Sequence, residues 1–164
     1  MKFLVTGGAG FLGINLIRYL TDRGHIAKSL DRAPFAYPEA ETTEVLQGDI
    51  RDPAIARKAV QDVDTVLHCA AALPLYSPQE IHSNDVDGTR VMLEAAVDAG
   101  VSRFTHISST AVYGVPDHHP IYEHDPVSGV GPYGVAKIEA EEVCTTFRGE
   151  GLCVPVLRLQ RFLE

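Results

Sequence analysis

The sequence predicts an α/β protein with a doubly wound parallel sheet of about six strands. Short apolar runs alternate with longer segments of helical periodicity along the 164 residues, and three closely spaced glycines join the first run to the first helical segment. Such alternation places helices on both faces of a parallel sheet. With 45% apolar and 22% charged residues, the composition is ordinary for a globular protein, and we expect one domain over residues 1–164.

Four apolar runs in the first half of the chain are predicted strands: residues 2–6, 25–31, 44–49 and 64–70. Helical periodicity predicts a helix over 11–23. A second helix is predicted over 53–60, because Asp52 is a typical N-cap residue and Pro53 suits the first helical position. The order strand, helix, strand is therefore set from the N-terminus.

The second half continues the alternation. Its predicted elements are a long helix over 78–99, a strand over 102–109, a helix over 133–148 and a strand over 153–159. The intervening residues 110–131 are rich in Pro, Gly and His and are predicted to form a loop. Loops of this length inside a compact domain are more often functional than idle.

Charge and cysteine content exclude several classes of partner. The net charge is −8 without a cluster of Lys or Arg, which argues against nucleic acid and anionic membranes. Cys69, Cys144 and Cys153 are widely spaced, so we expect reduced thiols and neither a disulfide framework nor a metal site. The irregular spacing of the histidines in the long loop (His118, His119 and His124) likewise gives no reason to expect a metal. No signal peptide or membrane span is recognisable, and we expect a cytoplasmic protein.

The glycines Gly7, Gly10 and Gly13 lie between a predicted strand and a predicted helix. They could simply form a turn. In this context, however, the free N–H groups and the dipole of the helix favour a phosphate. Gly7 would permit the tight turn, Gly10 the approach of a pyrophosphate, and Gly13 close packing of the helix on the sheet. The context therefore favours dinucleotide binding.

Asp31 ends the second predicted strand, 24 residues after Gly7. A carboxylate at this place accepts hydrogen bonds from a ribose 2′-hydroxyl and repels a 2′-phosphate, which favours NAD over NADP. The neighbouring Arg32 leaves NADP open, because a guanidinium pairs well with a phosphate.

The segment TGGAGFLG at residues 6–13 resembles the glycine motif of the extended short-chain dehydrogenases/reductases, the branch that includes nucleotide-sugar epimerases and dehydratases. Four more segments are similar to motifs of that family, in the family's order: GDIRD (48–52), HCAA (68–71), ISSTAVYG (107–114) and PYGVAK (132–137). The resemblance implies a Rossmann fold that binds NAD. The implied cofactor-binding residues are Gly7, Gly10, Phe11, Leu12, Gly13, Asp31, Arg32, Asp49, Ile50, Ala70, Ala71, Tyr133 and Lys137.

Tyr133 and Lys137 are four residues apart on a predicted helix, so their side chains share one face. An adjacent ammonium stabilises the phenolate that a general base needs. The resemblance assigns Ser109 as the hydroxyl that binds the substrate oxygen, ahead of its neighbours Ser108 and Thr110, and gives Lys137 a second role at the nicotinamide ribose. Tyr133 would remove a hydroxyl proton while hydride passes to the nicotinamide.

Other polar residues receive weaker interpretations. Asn84 resembles the family's helix asparagine, which has a structural or proton-relay role. His68 is expected to be a packed histidine. Three glutamates near the C-terminus, Glu139, Glu141 and Glu142, are expected to form a solvated helix face.

The resemblance implies an NAD-dependent epimerase/dehydratase-type enzyme acting at a hydroxyl or keto carbon, with a nucleotide sugar as substrate. Thr110 and Ala111 stand where 4,6-dehydratases carry an acidic pair, which disfavours a dehydratase. Family members are about twice this long, so the C-terminal substrate part is expected to be absent. A homodimer is compatible with the resemblance.

Two alternatives stay open. One is an NAD(P)-dependent dehydrogenase or ketoreductase of a sterol-like or other small alcohol or ketone. The other is a non-catalytic NAD-binding sensor or scaffold, against which the retention of Ser109, Tyr133 and Lys137 argues.

Overall fold

The computed structural model describes residues 1–149 and 151–160, and its six strands form one parallel sheet. The strands are β1 (Lys2–Thr6), β2 (Ile26–Asp31), β3 (Glu44–Gln47), β4 (Thr65–His68), β5 (Arg103–Ser109) and β6 (Val156–Leu159). Their order is β3-β2-β1-β4-β5-β6, which confirms the doubly wound prediction. The order reverses between β1 and β4, and ligands of such sheets bind at the carboxyl ends of the strands beside the reversal.

Five α-helices connect the strands: α1 (Phe11–Thr21), α2 (Pro53–Ala59), α3 (Pro78–His82), α4 (Gly88–Asp98) and α5 (Gly131–Thr146). Short 3-10 turns at Pro38–Glu41 and Thr110–Tyr113 complete the regular structure. The start of α2 is as predicted, since the Asp52 carboxylate accepts hydrogen bonds from the backbone N–H groups of Ala54 and Ile55. Among residues 1–149 and 151–160, no helix is both long and apolar enough to cross a membrane.

The single helix predicted over residues 78–99 is interrupted, which corrects the sequence analysis. A π-helical turn, Ser83–Asp87, separates α3 from α4. Such turns are rare and frequently occur at functional sites. Here the turn buries Asn84 and Asp85. The Asp85 carboxylate contacts distant parts of the chain, and local periodicity does not report such contacts.

Two apolar clusters lie on opposite faces of the sheet. Val5, Ile17, Leu20 and Ala27 form the smaller cluster, which lies under α1. The larger one lies under α2, α4 and α5 and includes Leu4, Met92, Leu93, Phe104 and Val143. Successive residues of β1 thus point into different clusters, as the two-residue period of a strand requires. Both faces are covered, so the functional surface is left to the strand ends.

Glu141 is not part of a solvated face, contrary to expectation. Its carboxylate forms an ion pair with Arg158 of β6, with 2.7 Å between Oε2 and Nη2. It also accepts a hydrogen bond from Ser108 Oγ, and Arg158 donates a further one to the Tyr113 hydroxyl. Glu139 and Glu142 show no comparable contact to β6 in the described residues. The ion pair joins α5 to the edge strand of the sheet.

Candidate functional site

A cavity of about 600 Å³ opens at the carboxyl ends of β1, β2 and β4. Seven predicted cofactor-binding residues lie in its wall: Gly7, Gly10, Asp31, Arg32, Ile50, Ala70 and Ala71. Phe11, Leu12, Gly13 and Asp49 lie beside it, and Tyr133 and Lys137 lie on α5, outside this wall. The structure therefore brings most of the predicted dinucleotide site together and places the predicted acid-base residues on a separate element.

The glycine turn is closely packed against its surroundings. Gly7 has a φ of +68°, and a Cβ there would lie 2.9 Å from the Ala70 backbone nitrogen. A Cβ at Gly13 would lie 2.1 Å from the carbonyl oxygen of Gly7. Helix α1 follows at once, without a side chain that caps its first N–H groups. These N–H groups are available to an anion, since the N-terminus of a helix carries partial positive charge.

Asp31 is held by two backbone groups. Its Oδ2 accepts a hydrogen bond from Ala9 N at 3.0 Å, and its Oδ1 accepts one from Ala33 N at 2.9 Å. Each carboxylate oxygen keeps a further lone pair for a ligand hydroxyl. The Arg32 side chain is 61% exposed, and its Nε lies 3.9 Å from Asp49 Oδ2.

The GDIRD segment, residues 48–52, places three of its residues in the cavity wall: Gly48, Ile50 and Arg51. Ile50 lines the cavity, whereas the Asp49 carboxylate pairs with Arg51, whose Nη2 lies 2.6 Å from Asp49 Oδ2. Hydrogen bonding to Arg51 is the main reason why the pKa of Asp49 lies below its usual value. Arg51 itself lines the cavity and also donates to Ser83 Oγ. Sequence reasoning missed Arg51, although a cation within a cofactor motif is a visible signal.

Tyr133 and Lys137 meet on one face of α5, as their spacing predicts. The Lys137 Nζ lies 5.5 Å from the centre of the Tyr133 ring, and the lysine is only 2% exposed. Its Nζ is also 3.1 Å from Asp85 Oδ2 in the π-helical turn. Sequence reasoning missed Asp85.

Ser109 ends β5, and its Oγ accepts a hydrogen bond from Ala111 N at 3.2 Å. Ser108 points to the opposite face of the sheet, where it donates to Glu141. The turn after Ser109 packs on the start of α5, because a Cβ at Gly134 would lie 2.9 Å from the Ala111 carbonyl oxygen. This contact brings the Ser109 and Tyr133 segments together.

Comparison with known protein families identifies the chain. A model described as the NAD dependent epimerase/dehydratase family matches residues 3–162. The chain belongs to this family. Its glycine turn, strand order and Tyr133–Lys137 pair are thus found in a member of the epimerase/dehydratase family, and the predicted resemblance is confirmed.

Curated relatives of this epimerase/dehydratase family member have more than one activity. A 3 beta-hydroxysteroid dehydrogenase/Delta 5-->4-isomerase of Mycobacterium tuberculosis is 43% identical over 119 residues, covering 68% of this chain and 32% of the relative. A UDP-glucose 4-epimerase of Lactobacillus helveticus is 34% identical over 151 residues, covering 87% of this chain and 46% of the relative. The chain thus spans less than half the length of either relative.

Solved structures agree with the family assignment. A short-chain dehydrogenase/reductase superfamily protein of Agrobacterium tumefaciens, crystallised with bound NAD, superposes with a TM-score of 0.89 at 30% identity. The match covers 96% of this chain and 48% of that protein.

A chain of hydrogen bonds links the cavity wall to the π-helical turn of this family member. It runs from Ala70 N to Thr6 Oγ1, from Thr6 Oγ1 to His68 Nδ1, from His68 Nε2 to Thr89 Oγ1, and from Thr89 Oγ1 to the Asp85 carbonyl oxygen. Burial lowers the pKa of His68 to about 3, so the imidazole is neutral. Because Thr89 donates to a carbonyl, we assign the imidazole proton to Nε2. The expectation of a packed His68 is confirmed.

The remaining candidate residues have local roles in this epimerase/dehydratase family member. Asn84 lines the cavity and donates from Nδ2 to Asp85 Oδ1 at 3.0 Å. The three cysteines are free thiols. Within residues 1–149 and 151–160, no group of three or more His, Cys, Asp or Glu side chains is placed to hold a metal ion.

Proposed function

We propose that the chain is the NAD-binding domain of an epimerase/dehydratase-family enzyme that oxidises and reduces a hydroxyl or keto carbon. One observation carries the proposal. The cavity lined by the glycine turn and Asp31 lies at the carboxyl ends of the parallel strands, and Ser109 is the last residue of β5 at the same end of the sheet. Helix α5 packs beside that edge with Tyr133 and Lys137 on one face. A non-catalytic NAD-binding scaffold would not need Ser109, Tyr133 and Lys137 beside the cofactor cavity.

The cavity fits NAD by shape and by charge. The glycine turn would hold the pyrophosphate through backbone N–H groups, Asp31 would accept a ribose hydroxyl, and Ile50 would contact the adenine. Lys137 would donate to the nicotinamide ribose. NAD, when bound, supplies a reversible hydride acceptor.

The side chains of α5 and β5 would handle the proton. Tyr133 would accept the proton of the substrate hydroxyl, with the Lys137 Nζ 5.5 Å from the centre of its ring. Ser109 Oγ already accepts from Ala111 N, so its own O–H group is available to donate to the substrate oxygen. The three roles are then distinct and compatible.

The substrate we propose first is a nucleotide sugar, which is supported by the related UDP-glucose 4-epimerase. A second candidate, an apolar secondary alcohol or ketone, is supported by the 43% identity to a steroid dehydrogenase. It is also supported by the segment after β4, where Leu73 and Leu75 are exposed, Leu75 to 92%. Apolar side chains at the rim of a site favour an apolar ligand.

The cofactor assignment is tested by thermal unfolding of the 164-residue chain with NAD or NADP. NAD at a hundred times its dissociation constant should stabilise the chain by about 2.7 kcal/mol, and NADP by less, because Asp31 repels a 2′-phosphate. Asp31→Asn should reduce this discrimination. Asp22→Asn, an exposed acid after α1, is the control and should not. A midpoint unmoved by either nucleotide would contradict the proposal.

The acid-base assignment is tested by Tyr133→Phe in a longer chain that includes the substrate part. NAD affinity should stay within about twofold, whereas turnover should fall by about 10²–10⁴, the usual contribution of a general base. UDP-sugars and 3β-hydroxysteroids, assayed in parallel, distinguish the two substrate candidates. The exposed Tyr19→Phe is the control. Full turnover by Tyr133→Phe would disprove the assignment.

A further inference from the structure

Asp85 has an unusual set of contacts for a buried acid. Its side chain is fully buried in the π-helical turn, where Oδ1 accepts from Ala72 N at 2.7 Å and from Asn84 Nδ2 at 3.0 Å. Its Oδ2 lies 3.1 Å from the Lys137 Nζ. One carboxylate thereby contacts both the segment that follows β4, at the cavity wall, and the lysine of α5.

The contact between Oδ2 and Lys137 is one of charge rather than an aligned hydrogen bond. Oδ2 has no aligned donor in the described part of the chain. A buried ammonium without a counter-charge is strongly unfavourable, so Asp85 is the group that allows Lys137 to be buried as a cation. Lys137, which has three N–H groups, then keeps donors for a ligand.

No other neighbour can take this role. Glu141, one helical turn after Lys137 on α5, is an anion, but it is paired with Arg158 of β6. The other titratable groups around Lys137 are Tyr133 on α5, His68 on β4, Cys69 after β4, His106 on β5 and Cys144 on α5. Burial keeps both histidines neutral and raises the pKa of Cys69 and of Cys144 to about 12. Asp85 is thus the one carboxylate within 4 Å of the Lys137 Nζ in the described structure.

We propose that Asp85 is a positioning residue that holds the Lys137 ammonium by charge, so that its N–H donors face the ribose hydroxyls of NAD. The identity of this ligand rests on the proposed function; the ion pair does not. By binding Ala72 N as well, the same carboxylate fixes the distance between the cavity wall and the lysine.

The test compares Asp85→Asn with Asp87→Asn. Both remove one charge from the same turn, but the Asp87 side chain is 60% exposed. The first readout is the ¹H–¹⁵N ammonium signal of Lys137 without ligand, because a buried, paired ammonium exchanges its protons slowly. The chain has four lysines, so Lys137→Met assigns the signal. Lys28, paired with Glu44 at 2.9 Å, is an internal reference.

We expect the unchanged chain and Asp87→Asn to show the Lys137 ammonium signal. In Asp85→Asn this signal should disappear or shift, while the Lys28 signal stays at the same position in all three proteins. The second readout is NAD affinity by calorimetry, which Asp85→Asn should weaken about tenfold and Asp87→Asn should leave within about twofold. An unmoved Lys137 signal, or unchanged affinity in Asp85→Asn, would overturn the inference.

The outcomes separate this inference from the proposed function. If the unchanged chain does not bind NAD, the proposed function fails while the ammonium signal still decides the ion pair. If Asp85→Asn does not fold, the double variant Asp85→Asn/Lys137→Met decides. Cooperative unfolding restored by removing both charges supports the pair, and a double variant that is no better folded overturns it.

Discussion

At Gly13, a single added carbon atom would prevent the close packing of the glycine turn. A Cβ at this position would lie 2.1 Å from the Gly7 carbonyl oxygen and 2.6 Å from Gly8 Cα. Both are backbone atoms, which cannot rotate away as a side chain can. The start of α1 can therefore approach the turn only with glycine at this position, and the free N–H groups of the helix depend on that approach.

We predict that Gly13→Ala abolishes NAD binding and destabilises the chain by about 1–3 kcal/mol, the usual cost of overpacking. Gly24→Ala is the control. Gly24 has a φ of +76°, and a Cβ added there would meet no other part of the described structure within 4 Å. Gly24→Ala therefore costs about 1 kcal/mol for the left-handed backbone but causes no clash. Gly24 lies before β2, at the opposite edge of the sheet from the cavity. Calorimetric NAD titration and urea unfolding measure both effects, and NAD binding by Gly13→Ala would contradict the prediction.

At the scale of elements, one ion pair fastens the edge strand to the helix that bears Tyr133. Arg158 of β6 donates twice to Glu141 Oε2 and Oε1 of α5, at 2.7 and 3.0 Å, and once to the Tyr113 hydroxyl. The side chains are 26% and 15% exposed, so solvent screens the pair only in part. Because β6 pairs with β5 alone, this side-chain network supplements its backbone hydrogen bonds.

Arg158→Met should lower the free energy of unfolding by about 2 kcal/mol, since it leaves a largely buried carboxylate without its charged partner. Arg103→Met, an exposed arginine on β5 without an ion-pair partner in residues 1–149 and 151–160, should cost much less. Urea unfolding measures both. In a double variant with Glu141→Gln, the two changes should be non-additive, and simple additivity would mean that the pair contributes nothing.

At the scale of the whole molecule, two stacked histidines lie at the centre of the sheet. The rings of His68 on β4 and His106 on β5 are 5.6 Å apart, and both nitrogens of His106 lack a partner among the described residues. Burial lowers the pKa of His68 to about 3 and that of His106 well below its usual value, with Lys137 adding to both shifts. Folding therefore requires that both imidazoles stay neutral.

Stability should consequently fall as the pH is lowered below about 6.5, the ordinary histidine pKa. In that range the unfolded chain takes up protons that the folded chain cannot, which favours the unfolded state. The slope should approach about 1.4 kcal/mol per pH unit for each histidine. Urea unfolding between pH 7 and 5 measures it. His68→Asn should lower the slope of unfolding free energy against pH by the contribution of one histidine. The exposed His124→Asn should leave that slope unchanged.

Most of the architecture was predictable because apolar runs and the residues at the ends of elements are local features of the sequence. Short apolar runs located all six strands, and the chemistry of Asp52 and Pro53 located the start of α2. The glycine turn and Asp31 were recognisable because each sits at the end of a strand. Two neighbouring serines were also distinguishable in principle, since Ser108 and Ser109 must face opposite sides of the sheet.

The features that sequence reasoning missed depend on contacts between distant segments. The π-helical turn carries Asp85 to Ala72 and Lys137, which lie 13 and 52 residues away along the chain. Glu141 was expected in solvent because it belongs to a run of three glutamates on a helix, and its partner Arg158 comes from β6. The ion pair between Asp49 and Arg51 was likewise not predicted. Periodicity indicates on which face of its own helix or strand a residue lies. It does not indicate which residues of another element contact that face.

The hydrogen bonds from Ala70 through Thr6, His68 and Thr89 to the Asp85 carbonyl all run in one direction. A backbone amide, which cannot give up its proton, begins the series, and a carbonyl oxygen, which has none to give, ends it. A neutral imidazole in its middle does not pick up a proton near neutral pH. The series therefore holds β1, β4 and the π-helical turn together and does not relay protons. Along this series, therefore, no proton can pass between the cavity wall and the interior of the sheet.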